Sequence, residues 1–373
     1  MTQPLKVIIS GGGTGGHVFP AISIAQELRK QVPDARILFV GAENRLEMTK
    51  VPAAGFEIQG LPVEGLDRRH LLKNIRVVVN LLKSLKMARR IIRRFNPDVV
   101  VGVGGYASGP VVKVAGWEKI PVLIQEQNSY AGITNRWLSR QADVICVAYK
   151  EMNRYFPGEK IVFTGNPVRE EIRRIPFGAA KIRKKLNIPD NYKTILILGG
   201  SLGAGSVNTA ILQKLSAVKN KPLFVIWQTG KNDYEKIATA VDQNVFPNVF
   251  ITPFIEEMNE AFAVADLIIS RSGAGTISEL AVIGKPVILV PSPNVAEDHQ
   301  TKNAKALVAC NAAMLIADNH LEEKLMPEIL SLLNDDRRMQ ELSSNIKKMA
   351  IPDASSRIIY ELLKLVETKK KGE

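Results

Sequence analysis

The sequence lacks the marks of a metal centre. Its four histidines (His17, His70, His299 and His320) are scattered, none paired at helical spacing, and no Asp-x-Asp pair is present to hold a divalent ion beside a diphosphate. Cysteine is almost absent: Cys146 and Cys310 lie in apolar stretches without redox or metal spacing and read as buried thiols of a reducing compartment. No apolar run is long enough to span a bilayer. The strand-like residues from Leu5 onward leave no room for a signal peptide, so the chain reads as cytoplasmic. What is present, 373 residues with 46% hydrophobic and 23% charged content, suits two soluble globular domains.

Short apolar runs alternate with helix-like segments throughout. Val7–Ile9, Ile37–Val40, Phe56–Ile58, Val99–Val101, Val122–Ile124, Val144–Val147 and Ile161–Phe163 read as strands in the first half. The pattern breaks near Thr164–Arg169, then resumes with Thr194–Leu198, Phe224–Trp227, Val249–Ile251, Leu267–Ile269, Val287–Val290 and Ala313–Ile316. Such alternation predicts an α/β chain of two Rossmann-like, doubly wound domains. The boundaries fall at residues 1–165 and 166–352, with a terminal helix within 353–373. Ligands of such sheets bind beyond the carboxyl ends of the strands, and two such edges facing each other would make a cleft.

The first strand runs into Gly11-Gly12-Gly13-Thr14-Gly15-Gly16-His17, five glycines in six residues before a titratable side chain. Glycine admits positive φ and close ligand approach, and the following helix offers unpaired N–H groups to an anion. Gly11-x-Gly13-x-x-Gly16 also fits the dinucleotide fingerprint, which needs an acid closing the second strand. Glu43 lies slightly late for that part, so a diphosphate site and NAD binding both stay open. His17 in isolation reads more readily as a capping or packing residue than as a catalyst.

Arg68 to Arg94 carries ten Lys and Arg side chains and no acid, interleaved with Leu71, Leu72, Ile75, Val78, Val79, Leu82, Leu85, Ile91 and Ile92 at near-helical spacing. A basic amphipathic helix of this kind suits an anionic membrane surface. The same pattern also suits a crossover helix packed on the core with a solvated basic face. No aromatic residue interrupts the basic run to stack on bases, which argues against nucleic acid. The whole chain has a formal net charge of +13, consistent with a polyanionic partner or surface.

A second constellation follows Leu267–Ile269: Ser270-Arg271-Ser272-Gly273-Ala274-Gly275-Thr276 turns into a helix near Gly275, with Glu279 a turn further on. Its N–H groups suit a phosphate, and Glu279 suits either a ribose diol or the helix dipole. Pro291–Ala304 joins another strand end to another helix with polar side chains that suit sugar hydroxyls.

Taken in order, Gly12–Ala21, Gly104–Pro110, Gln125–Asn128, Gly165–Arg169, Gly199–Ser201, Arg271–Ala274 and His299–Ala304 resemble the MurG family of glycosyltransferase family 28. Members of that family add N-acetylglucosamine to lipid I. The resemblance implies a GT-B fold in which the C-terminal domain binds UDP-N-acetylglucosamine and the N-terminal domain holds the lipid-linked acceptor. It places Ser201 and Ala274, Gly275 and Thr276 on the diphosphate, Glu279 on the ribose, Arg169 and the Ile255 backbone at the uracil, and Gln300 on the sugar hydroxyls. Thr14, Gly15, Gly16 and Asn128 would complete the donor site, while Tyr106 and Glu126 would lie on the acceptor side. It implies peripheral attachment to the cytoplasmic face of the cell membrane through Arg68–Arg94, and partners in cell-wall synthesis and division. No cofactor is called for.

The chemistry implied is attack by the muramyl C4 hydroxyl on the anomeric carbon with inversion, UDP leaving. Helix N-termini and turn N–H groups would stabilise the leaving diphosphate. A base near neutral pKa would take the hydroxyl proton, and a helix N-terminus favours a neutral imidazole, so His17 leads and Glu126 follows. Two other classes remain: an NAD-dependent oxidoreductase, which leaves the second constellation unexplained, and a membrane protein that senses the nucleotide sugar without turning it over. Another GT-B transferase with a lipid acceptor is the nearest alternative.

Overall fold

The computed structural model describes residues 4–64, 74–173, 178–200, 202–295 and 298–372. The chain separates into two compact units, Met1–Val168 with Ile351–Glu373, and Arg169–Ala350.

The first unit is built on seven strands: β1 (Lys6–Ser10), β2 (Arg36–Ala42), β3 (Glu57–Leu61), β4 (Val99–Gly102), β5 (Val122–Glu126), β6 (Val144–Val147) and β7 (Ile161–Phe163). They lie in the order β3-β2-β1-β4-β5-β6-β7, every neighbour parallel. Continuous apolar runs form the inner strands because both faces are covered by helices. Ile8 faces one layer with Ile92 and Val112, while Val7 and Ile9 face the other with Ile24 and Leu28. The sheet order reverses between β1 and β4, the point at which a doubly wound sheet opens a crevice beyond its strand ends. The Gly11–Thr14 and Gly104–Tyr106 segments follow these two strands.

The second unit repeats the scheme with β8 (Lys193–Leu198), β9 (Leu223–Gln228), β10 (Val249–Thr252), β11 (Leu267–Ser270), β12 (Val287–Leu289) and β13 (Met314–Leu315). Their order is β10-β9-β8-β11-β12-β13, again parallel, and the reversal lies between β8 and β11. Both halves are therefore doubly wound α/β layers, as the alternation of the sequence predicts.

The terminal helix Ala354–Gly372 belongs to the first unit. Its stripe Ile358, Ile359, Leu362 and Val366 is buried against the layer holding Val7, Ile9, Leu28 and Cys146, and Ser356 donates a 2.7 Å bond to Glu27. Spacing of three to four residues puts these side chains on one face.

Three local expectations change. The first helix begins at Gly15, inside the glycine run rather than after it, so His17 stands in its first turn. Pro20 lies inside this helix and leaves the Gly16 C=O without the N–H it would otherwise accept. Cys146 is fully buried, and that burial pushes its thiol far above its ordinary pKa, but Cys310 is exposed. It sits in the turn after helix His299–Val308, where only the flanking Leu307 and Ala312 reach the core. The last strand shrinks to Met314–Leu315, pairing through Ile288 and Leu289.

Helix Asn74–Phe95 contains much of the basic stretch; Arg68, Arg69 and Lys73 lie outside the described residues. Its two ends differ. Ala88, Ile91 and Ile92 are in the core, whereas Val78, Val79, Leu81 and Leu82 are exposed, Leu82 at 62%. Core packing thus accounts for the C-terminal turns alone. Acids from other elements partner its cations: Glu118 binds Arg89 and Arg93, and Glu64 binds Arg76. No helix among the described residues is long and apolar enough to cross a membrane.

Candidate active site

In the first unit, the turn after β1 is held by its own backbone and by a neighbouring loop. Gly13 takes φ +88° and Gly104 φ +94°, and Gly12 N–H donates to Gly104 C=O at 3.3 Å. A side chain at Gly105 would enter the Gly12 carbonyl, so the two glycine segments approach as only glycine allows. Thr14 takes extended geometry at the helix N-cap, yet its hydroxyl makes no cap bond. It lies instead 3.3 Å from His17 Nδ1. A Cβ at Gly104 would stand 2.9 Å from His17 Cδ2 and Nε2, so the imidazole edge lies over the backbone of the second glycine segment. Gly16 is exposed, while Gly15 and His17 are half-buried beside it.

Glu126 closes β5 and is 1% exposed. Its Oε1 accepts from Asn128 N–H at 3.0 Å and from the Asn128 amide at 3.2 Å. Its Oε2 accepts from Gly132 N–H at 3.0 Å and the Asn135 amide at 2.9 Å. Four donors occupy the four lone-pair directions of a carboxylate. A hydroxyl proton can reach Glu126 only by displacing one of them, and what the geometry offers is a pin for the loop from 126 to 135. Beside it, Gln125 and Gln127 bond Asn166 and the Val103 carbonyl, tying together three strand ends. Tyr106 stands 57% exposed on the Gly104–Gly105 segment.

In the second unit, Gly273 caps helix Ala274–Ile283 in extended geometry, and Ile277 N–H returns to Gly273 C=O. The N–H groups of Ala274, Gly275 and Thr276 therefore precede the helix's first internal bond, and they open a short anion seat at its positive end. Arg271 braces the turn from behind. Its guanidinium donates to the carbonyls of Val290 and Pro291, to Asp318 and to Ser206. Gln300 joins the two strand-end loops: its Oε1 accepts Ser272 N–H at 3.3 Å and Ser292 N–H at 2.9 Å. Only its NH2 is left to donate outward.

Arg169 and Glu279 form a bidentate pair, Nε to Oε1 at 2.6 Å and Nη2 to Oε2 at 2.9 Å. The Glu279 hydrogen bond is the main reason the Arg169 guanidinium is raised above its already high pKa. Each Glu279 oxygen keeps a further lone pair, the number a vicinal diol requires. Ile255 N–H is already bonded to Gln228 Oε1 at 3.0 Å, so a base bound there would meet the Ile255 carbonyl. Ser201 lies outside the described residues. Among the described residues no cluster of His, Cys, Asp and Glu is gathered to hold a metal ion.

Three side chains that matter to this geometry escaped the sequence reading: Glu47, whose carboxylate accepts from Gly13 N–H at 2.9 Å, Gln228, and Asp318. Glu43, weighed as the ribose acid of a dinucleotide site, instead lies against Gly60 on β3. A short apolar–acid spacing after β2 was the only signal for Glu47, and it does not distinguish one acid from another.

Two parallel doubly wound units, each with glycine turns or helix N-termini at its strand ends, are the architecture of the GT-B fold. A UDP-GlcNAc 2-epimerase from Neisseria meningitidis shares this fold at a TM-score of 0.68 and 17% identity, covering 97% of this chain and all of its own. Residues 7–147 match the glycosyltransferase family 28 N-terminal domain and residues 194–358 its C-terminal domain. The chain belongs to glycosyltransferase family 28. A relative from Bacteroides thetaiotaomicron is 52% identical over 370 residues, 98% of this chain and 99% of its own length. It is named UDP-N-acetylglucosamine–N-acetylmuramyl-(pentapeptide) pyrophosphoryl-undecaprenol N-acetylglucosamine transferase. The crystal structure of Acinetobacter baumannii MurG matches at a TM-score of 0.78 and 31% identity, covering 97% of this chain and 100% of that one.

Proposed function

We propose that this chain moves N-acetylglucosamine from UDP-N-acetylglucosamine to the C4 hydroxyl of the muramyl sugar of lipid I, with inversion, giving lipid II. The observation that carries this is near-complete coverage at about half identity by relatives bearing that name. The shared fold alone would not separate a transferase from an epimerase. The oxidoreductase alternative is not favoured, since it leaves the second unit's turn and its Arg169–Glu279 pair without a role.

The residues suit the chemistry. As the glycosidic bond to UDP breaks, positive charge grows on the sugar and negative charge on the diphosphate. The N–H groups of Ala274, Gly275 and Thr276 meet that negative charge without reorganising. Glu279 takes the ribose diol, Arg169 and the Ile255 carbonyl the uracil end, and the Gln300 amide a sugar hydroxyl. For the proton, His17 is the base. With Nδ1 protonated and donating to Thr14, the tautomer puts the ring's basic lone pair on Nε2. Glu126, its oxygens filled, acts by positioning Asn128 and the acceptor loop. Tyr106, exposed at the same strand ends, offers an apolar face to the acceptor.

The acceptor is a bilayer lipid, and the exposed apolar turn of helix Asn74–Phe95 with its basic flanks supports peripheral attachment to the anionic cytoplasmic leaflet.

Transfer of labelled N-acetylglucosamine from its UDP donor to a lipid I analogue tests the reading, and no transfer at saturating substrates would overturn it. In the same assay His17→Ala is expected to lower kcat by about 10²–10⁴-fold. An unchanged kcat would remove His17 from the chemistry.

A further inference from the structure

Glu47 is the first residue of the short helix Glu47–Ala53 and is 1% exposed. Both carboxylate oxygens are taken by backbone: Oε1 accepts Ala42 N–H at the end of β2, and Oε2 accepts Gly13 N–H, each at 2.9 Å. The surrounding glycines fit this side chain. A Cβ at Gly12 would enter its carboxylate, and one at Gly41 would press on its Cγ. In a dinucleotide-binding turn, N–H groups at this point receive the ligand's pyrophosphate. Here the chain supplies the anion itself, from behind the turn. A ligand phosphate at Gly13 would find the donor occupied and a carboxylate beneath it.

We propose that Glu47 is a positioning residue of the acceptor side: its carboxylate stands in for a ligand phosphate, sets the path of Gly12 to Thr14, and through Thr14 orients the His17 imidazole. The last step rests on the reading of His17 as base, whereas the capture of Gly13 N–H does not. It follows that the glycine turn is preorganised before any substrate arrives and is closed to pyrophosphate at Gly13. A diphosphate must then find its donors at other N–H groups, such as those of the first turn of helix Gly15–Gln31 or of Ala274–Thr276.

The test uses the full chain as Glu47→Gln, which keeps the volume but turns an NH2 toward one of the two N–H groups. Hydrogen exchange at the Gly13 or the Ala42 amide, whichever the NH2 faces, is expected to quicken by about tenfold or more, and kcat for sugar transfer to fall by about tenfold or more, one lost bond to a charged group. UDP affinity, carried by the other unit, is expected to stay within about twofold. In Glu47→Ala, added acetate is expected to restore kcat several-fold where acetamide does not. If the alanine variant does not fold, the glutamine variant decides alone. An unchanged kcat in folded Glu47→Gln, or equal rescue by acetate and acetamide, overturns the positioning role. Unchanged exchange at both amides overturns the capture of these N–H groups. A wild-type chain that transfers no sugar would count against the proposed reaction instead, with the exchange measurement still reading the hold of Glu47 on the turn.

Discussion

At Arg169 and Glu279 two charges 110 residues apart in sequence share two short hydrogen bonds in a half-buried setting. Arginine's fork matches a carboxylate in two directions at once, which sets both side chains before a ligand binds. Removing one partner leaves the other without its countercharge. Glu279→Ala is therefore expected to raise KM for UDP-N-acetylglucosamine by about 10- to 100-fold, the worth of one or two charged hydrogen bonds, with kcat changed far less. Steady-state kinetics over a donor series reads this, and an unaltered KM would take Glu279 out of the donor site. Nothing in the sequence links these two positions. Glu279 was legible as an acid one turn into a helix, Arg169 as part of Gly-Asn-Pro-Val-Arg, and their pairing was legible nowhere. The same holds for Glu126, whose four donors come from residues two to nine positions on and pin its loop.

Among the elements, helix Asn74–Phe95 divides along its length. The turns near Ala88 and Ile92 are anchored in the core, and those near Val78 and Leu82 present apolar side chains to solvent. Exposed leucine and valine flanked by Lys83, Lys86 and Arg90 make a surface that gains from an anionic interface twice, through apolar burial and through charge. Leu82→Asp is expected to leave the fold intact and to weaken binding to anionic vesicles by about fivefold or more, since one buried leucine is worth roughly 1.5–3 kcal/mol. Cosedimentation measures it. Equal binding of the unsubstituted chain to neutral and anionic vesicles would refute attachment by charge. The period of this helix was readable from its sequence, but which of its turns met the core was not, because both carry the same stripe.

On the scale of the whole molecule, the last nineteen-residue helix returns to the unit built by the first 168 residues. Leu362 is fully buried among Val7, Ile9 and Leu28. Leu362→Ala is expected to cost about 2–5 kcal/mol, lowering the urea midpoint of the transition that reports on this unit. UDP binding, which the proposed function assigns to residues 169–350, is expected to persist in that variant below the transition, and its loss would show that the terminal helix supports the second unit as well.

The sequence by itself determined the strand alternation, the family and the location of the glycine turns, because interior parallel strands are unbroken apolar runs and positive φ at a strand end favours glycine. Tertiary structure alone decided where each polar group is spent: Gly13 N–H on Glu47, the Glu126 oxygens on Asn128, Gly132 and Asn135, and Ile255 N–H on Gln228. The reason is physical. Hydrophobic period records which face of an element is covered, a property of consecutive residues. A hydrogen bond between distant residues depends on strand register and loop path to within a fraction of an ångström, and those exist only once the sheet has closed around them.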